Sequence, residues 1–103
     1  MDIKFIHGLC ANDENIEVTQ HMMHRFQQRN IKYREIKEVI ANGEIIEDYP
    51  EAYPNPACLL LGMTAKKRRL HVVVGVTQDK LWIITAYEPD KTLWSDDFRK
   101  RKD

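Results

Sequence analysis

Cysteine is scarce in this chain, charge of either sign is not in excess, and no apolar stretch is long. The two cysteines, Cys10 and Cys58, stand at no metal-ligating spacing, and Cys58 lies in an apolar run. Both read as reduced, partly buried thiols, which argues against a disulfide framework. Lys+Arg and Asp+Glu number 16 each among 103 residues. That balance argues against coating nucleic acid by bulk attraction, though not against a local basic site. No secretory, transmembrane or lipidation pattern is present, and "MDIKFIHGLC" is too polar for a signal-peptide core. A cytoplasmic protein without a membrane partner is the expectation. Repeats and low-complexity segments are also missing. With 43% apolar residues, the length suits one domain over residues 1–103, built on one core.

The charge that is there is unevenly placed. Glu44, Glu47, Asp48 and Glu51 form an acidic stretch, Lys66 to Arg69 a basic one, and Arg99 to Lys102 another. Hydrophobic periodicity divides the chain into a helical first half and a strand-rich second half, the order of an α+β domain. A short helix is expected over residues 2–11. "ANDEN" breaks it, and Thr19 caps a second helix running to about Arg29. Asn30 fits the left-handed position after that helix. A third helix, Tyr33 to Asn42, lacks the usual capping side chain at Lys32 and closes at Gly43, read as a C-cap glycine. "EIIEDY" then reads as an edge strand, and "PEAYPNP" as a loop, since proline supplies no ladder donor. "ACLLLGMTA", "RLHVVVGVT" and "LWIITAYE" are three strong strands joined as hairpins. The fold expected is therefore N-terminal helices on a twisted antiparallel sheet of about four strands, with "DKTLWSDDFRKRK" as a short C-terminal helix or a coil.

Chemistry concentrates in two places. In the second helix His21, Arg25 and Arg29 recur at a spacing of four, a stripe about 12 Å long at 1.5 Å per residue. Met22, Met23 and Phe26 take the opposite, core-facing side. No acidic residue in the helix offsets the cations, so the stripe suits an anion such as phosphate or a partner's carboxylates. The plainer reading is a solvated face whose arginines pair with acids elsewhere, such as Glu44–Glu51. The second place is the last hairpin. A three-residue "QDK" loop sets His71 opposite Tyr87 and Val73 opposite Thr85. Leu70, Val72, Val74, Val76, Trp82, Ile84 and Ala86 then share the apolar face. His71, Thr85 and Tyr87 share the other, around Gly75, whose missing side chain leaves room for a ligand. A two-residue turn would invert this pairing. A lone strand histidine also has an ordinary structural reading.

The pattern T-x-H-x-x-x-R-x-x-x-R-x-I, here Thr19, His21, Arg25, Arg29 and Ile31, precedes "NGEIIEDYPEAYPNPACLLLG", "LHVVVGV" and "LWIITAYEPDKTLWSDDFRKRK". This order, over about residues 18–102, resembles domain-of-unknown-function family 4258. The family looks like a divergent branch of the small bacterial ribonuclease-toxin fold of RelE-like and BrnT-like toxins. The resemblance implies an mRNA endonuclease, ribosome-dependent or free, in a toxin–antitoxin pair. Its expected partner is a small antitoxin with a YgiT-type zinc finger. "AKKRRL" lacks the Asn-Gly common at that hairpin in the family, which leaves the register there open, while its basic residues could touch RNA.

Metal-independent RNA cleavage needs a base at the 2′-oxygen, cations on the phosphoryl oxygens and an acid at the 5′-oxygen. His21 and His71 are the candidates for acid–base work, Arg25 and Arg29 for the phosphate clamp, and Tyr87 for positioning; helix geometry does not separate His21 from His24, and only the family pattern sets His7 and His24 aside. Lys66, Lys67, Arg68, Thr85 and Trp94 are candidate substrate contacts, Trp94 also having a packing role. No cofactor is implied. A competing reading is a non-catalytic module whose basic groove engages RNA or an acidic protein. A metal-dependent hydrolase using His7, His21, His24 and His71 is a third, but no ligand motif supports it.

Overall fold

The structure, a computed structural model, describes residues 1–102. Helix α1 covers Ile3–Cys10, α2 Gln20–Gln28 and α3 Tyr33–Asn42. The strands are β1 (Ile16–Glu17), β2 (Glu44–Tyr49), β3 (Ala57–Met63), β4 (Arg69–Val76) and β5 (Leu81–Tyr87). They form one sheet in the order β1-β5-β4-β3-β2. The sheet thus has five strands instead of about four, and it is mixed: β1 pairs parallel with β5, Ile16 opposite Leu81 and Glu17 opposite Trp82. A two-residue strand is too short to show a period, which is why pattern reading passes over it.

Local rules explain most of the helix boundaries. The Asp2 carboxylate accepts the Lys4 N–H at 2.9 Å and Thr19 Oγ1 accepts the Met22 N–H at 3.1 Å, the N-cap bond in each case. At the end of α2, Asn30 takes φ 56. The Ile31 N–H then bonds Phe26 O at 2.8 Å, and the Asn30 N–H bonds Gln27 O at 3.1 Å. That is a Schellman closure, and it drives Ile31 into the core. For α3 the missing cap at Lys32 is met from inside the helix, where Glu35 Oε1 accepts the Lys32 N–H at 2.9 Å. Gly43 is the C-cap of α3, as expected. Its φ is −75, an ordinary value. What demands glycine is closeness, since a Cβ there would sit 2.4 Å from Val39 O.

The three helices lie on one face of the sheet, with α3 across β3 and β4, α1 on α3, and α2 beside β5. Ile6, Phe26, Ile36, Ile40, Leu60, Leu70, Val72, Val74 and Leu81 form the core between the layers. The β4–β5 register is as the three-residue loop requires at its outer end, His71 opposite Tyr87 and Val73 opposite Thr85. A β-bulge between Val73 and Val74 then shifts it, so that Val74 faces Ile83 and Val76 faces Leu81. The bulge corrects the expected apolar face. Leu81, Ile83 and Ala86 turn inward, whereas Trp82 and Ile84 turn outward and stay 39% and 46% exposed.

Among the described residues no C-terminal helix forms, and the coil alternative is what the segment takes. The N–H groups of Leu93 and Trp94 both bond Asp90 O at 3.0 Å, closing one turn. The Ser95 and Phe98 N–H groups then bond Lys100 O and Ser95 O, and side chains take two later donors: Asp97 accepts the Arg99 N–H and Ser95 Oγ the Lys100 N–H. Phe98, at φ 63, reverses the chain. Trp94 and Arg101 pair as an isolated antiparallel bridge. Residues 90–102 therefore form a looped strap, and they lie on the sheet face away from the helices. Competing side-chain acceptors of this kind are what keep Ser and Asp out of helix interiors.

Candidate functional site

His71 belongs to the strap's seat and is fully buried. Its Nε2 lies 2.9 Å from Phe98 O and its Nδ1 3.2 Å from the Tyr87 hydroxyl. A carbonyl can only accept, so Nε2 carries the proton and Nδ1 accepts from Tyr87. Trp94 meets the imidazole edge-on, with centroids 4.4 Å apart, and is itself 3% exposed. Burial pushes the His71 pKa down, with the Phe98 carbonyl and the Glu47 carboxylate opposing. Burial likewise raises Tyr87. A histidine with both ring nitrogens engaged and no solvent access holds the strap and does not reach substrate. Trp94 is equally sealed, which corrects its candidacy as a base-stacking surface.

Helix α2 presents the opposite case. His21, His24, Arg25 and Arg29 are exposed on it, while Phe26 is buried. Among the described residues the His21 and Arg25 side chains have no hydrogen-bond or ion-pair partner. Three of the four acids that the plainer reading offered them are engaged elsewhere: Glu44 with Arg99, Glu47 with Arg101, and Asp48 with the amino terminus. Arg29 differs from its stripe-mates. Its Nη1 donates to Ala86 O at 2.8 Å and Thr85 Oγ1 at 3.1 Å. β1 pairs only with Leu81 and Trp82, so this guanidinium satisfies the β5 edge beyond it. The structure therefore brings together Arg29 and Thr85, and separately His71, Tyr87 and Trp94. Gly75 opens no ligand space, because Ile84 fills it: a Cβ there would lie 3.3 Å from Ile84 Cδ1.

The β3–β4 hairpin tip completes the picture. The turn needs no glycine. The Lys67 N–H bonds Thr64 O and the Thr64 N–H bonds Arg68 O, both at 2.8 Å, with Lys67 itself at φ 65. Arg68 is not free for a ligand, which corrects its expected role. It donates to Asn30 O at 2.8 Å and to Glu35 at 3.2 Å, and it pairs with Glu88. The bond from the Lys32 N–H and the Arg68 guanidinium together hold the Glu35 carboxyl below its usual range.

Around Arg68 lie two hollows. One, of about 460 Å³, is lined by Lys32, Arg34, Glu35, Glu38 and Lys66 among others. The other, of about 350 Å³, is lined by Lys67, Arg69, Glu88, Lys91 and Phe98 among others. Counting Arg68, seven cations meet three carboxylates there. Glu35 and Glu88 are held by Arg68, and Glu38 accepts the Ala65 N–H. Among the described residues Lys32, Arg34, Lys66, Lys67, Arg69 and Lys91 have no carboxylate in ion-pair range. Arg69 instead lies over the Phe98 ring, 5.8 Å from its centroid. Lys32, Arg34 and Lys91 carry no sequence signal, because only folding brings them to the "KKRR" tip.

A family model for a domain of unknown function (DUF4258) matches residues 18–88. The chain belongs to this family. No curated protein matches the chain, and no solved structure does. The DUF4258 portion takes in α2, α3 and β2–β5, and with them His21, Arg25, Arg29, the hairpin tip, His71, Thr85 and Tyr87. Helix α1 and the Trp94 strap lie outside the matched DUF4258 span. Among the described residues no three His, Cys, Asp or Glu side chains stand together as metal ligands, and no helix is long and apolar enough to cross a membrane. His7, the remaining histidine of the metal reading, donates from Nε2 to Gly43 O at 3.2 Å.

Proposed function

We propose that this protein binds RNA through its phosphodiester backbone. The observation that carries this is the segregation of charge. A chain of net charge zero gathers six cations without a described carboxylate partner round one hairpin tip, and its acidic β2 strand is neutralised from within. Lysines beside open hollows suit phosphates, which they meet as point charges. The test is an anisotropy titration with a labelled RNA at several salt concentrations. Binding should weaken steeply with salt. Lys66→Ala and Lys67→Ala should each lower the slope of log K against log salt by about one, the value for one phosphate left without its lysine. Affinity that ignores salt, or an unchanged slope in both variants, refutes the reading.

One observation favours a second step, cleavage of that RNA. His21 and Arg25 are exposed and have no partner among the described residues. They lie one helical turn apart, on a helix whose end adjoins the same tip through the Asn30–Arg68 bond. In this reading His21 is the acid or base and Arg25 the phosphate ligand. Arg29 supports from the β5 edge, and His71 and Tyr87 hold the strap. The chain would then act as the metal-independent endoribonuclease of a toxin–antitoxin pair, with a RelE/BrnT-like fold. Its partner would be a small zinc-finger antitoxin masking the cations with acidic residues. Purified protein, with and without ribosomes, should cleave mRNA with a pH–rate profile set by a histidine. Equal cleavage by wild type and the His21→Ala, Arg25→Ala double variant removes this step while leaving the binding proposal standing.

A further inference from the structure

The geometry points to a single-stranded substrate whose bases stack on Trp82. The inference rests on the RNA-binding reading and specifies the form of RNA. Trp82 stands opposite Gly75, and Thr85 opposite Val73, so both side chains share the sheet face away from the helices. Trp82 Cβ and Ile84 Cδ1 are both near the position a Gly75 Cβ would take, at 3.8 and 3.3 Å, which sets Ile84 on that face too. The strap is anchored toward the other edge, on His71, Glu44 and Glu47, and leaves this strip of β5 open.

Helix α2 packs on the other face of the sheet but follows the same edge strand, and Arg29 comes over that edge to Thr85. Its chain leaves β1 where Glu17 pairs with Trp82, and it ends where Arg29 reaches Thr85 and Ala86. The helix therefore travels in the direction of β5. Arg25 lies about 6 Å back from Arg29, and His21 about 6 Å further, toward the Trp82 end. An exposed indole on the outer face, with the α2 arginines along the adjoining edge and Arg29 crossing it to Thr85, is a pairing that suits a single strand. Cations follow the backbone and the aromatic face takes an unpaired base. A duplex keeps its bases stacked internally and has no use for the indole. A protein partner would need acidic residues for the arginines and an apolar contact for Ile84, and it becomes the alternative outcome of the test.

The test uses the full chain and tryptophan emission, with Trp82→Phe assigning the signal, because the second tryptophan, Trp94, is buried. Three probes are titrated at low salt: a single-stranded RNA oligomer, the same sequence as duplex, and inorganic polyphosphate. The single strand should quench Trp82 and the other two should not. Trp82→Ala should bind the single strand roughly 5- to 150-fold more weakly, as expected when one base loses its stacking platform. Trp82→Phe, which keeps a ring, should recover most of the affinity and guards against a folding defect in the alanine variant. Salt-dependent RNA binding that is indifferent to both variants overturns the stacking site but not the RNA-binding function. Absence of binding to any RNA overturns both. Quenching of Trp82 by an acidic peptide as strong as by RNA reassigns the surface to a protein.

Discussion

Replacing Trp94 by alanine should separate the two tryptophans by energy. Trp94 is 3% exposed, stacks edge-on against the fully buried His71 at 4.4 Å, and lies under the Arg101 guanidinium at 4.8 Å. Truncating a buried tryptophan costs about 3–5 kcal/mol, from lost transfer energy and the cavity left behind. The aromatic pair with His71 contributes about 0.5–1.5 kcal/mol beyond buried area. Domains of this size are stable by about 5–15 kcal/mol, so Trp94→Ala should remove a large fraction of the total. At roughly 4–8 °C per kcal/mol, the melting temperature should fall by more than about 12 °C. Urea unfolding followed by far-ultraviolet circular dichroism measures the loss. Trp82→Ala, at a half-open site, should cost under about 1.5 kcal/mol in the same assay. A Trp94→Ala loss below about 1 kcal/mol would mean the strap contributes little to the fold, and the assignment of His71 and Tyr87 to its seat would be wrong.

Four further outcomes are expected. His71 is buried neutral with its pKa lowered, so the unfolded chain binds a proton that the folded chain refuses. Its stabilising effect is complete above about pH 6.5 and is lost as pH falls from there toward the folded pKa, with a slope of at most about 1.4 kcal/mol per pH unit from this proton. A His71→Phe variant should show a flatter stability profile below pH 6.5. Arg68→Met should cost about 1–3 kcal/mol in urea unfolding, because it strips charged hydrogen bonds from Asn30, Glu35 and Glu88 at once. Gly62→Ala should cost about 1–3 kcal/mol by overpacking, since its Cβ would meet Val39 O at 2.7 Å and Asn42 Oδ1 at 2.8 Å. The Cys58 thiol, pushed up to about 11 chiefly by burial, should resist alkylation at pH 8 in the native protein and react once urea unfolds it.

What could be read from the sequence was whatever local chemistry decides. The Thr19 cap, the left-handed Asn30, the third helix from Tyr33 to Asn42 and the outer register of the last hairpin each follow from a few adjacent residues. What escaped depends on residues far apart. β1 exists because Ile16 finds Leu81, and two residues carry no period of their own. The bulge near Ile84 exists because the core takes Leu81 and Ile83 as well as Ala86, which strict alternation forbids. The strap replaces a helix because Ser95 and Asp97 find backbone donors within reach, and because Glu44 and Glu47 on another strand hold Arg99 and Arg101.

The same distinction explains why the five residues grouped as a catalytic set fall apart in space. His71 and Tyr87 share a sheet face by register alone, but register says nothing about what covers that face. The cover comes from Trp94 and Phe98, far along the chain from His71. Arg29 sits in the stripe by helical period, yet the short β1 leaves a strand edge that Arg29 reaches, so its charge is partly committed to Ala86 and Thr85. That leaves His21 and Arg25 uncommitted by elimination. Three of the acids in the 44–51 stretch, Glu44, Glu47 and Asp48, are held by the strap and the amino terminus. Distance also keeps the two charge systems apart: β2 stands three strands from β5, about 14 Å at 4.8 Å per strand, so removing the Arg99 and Arg101 charges should lower stability and leave Arg25 without a carboxylate partner.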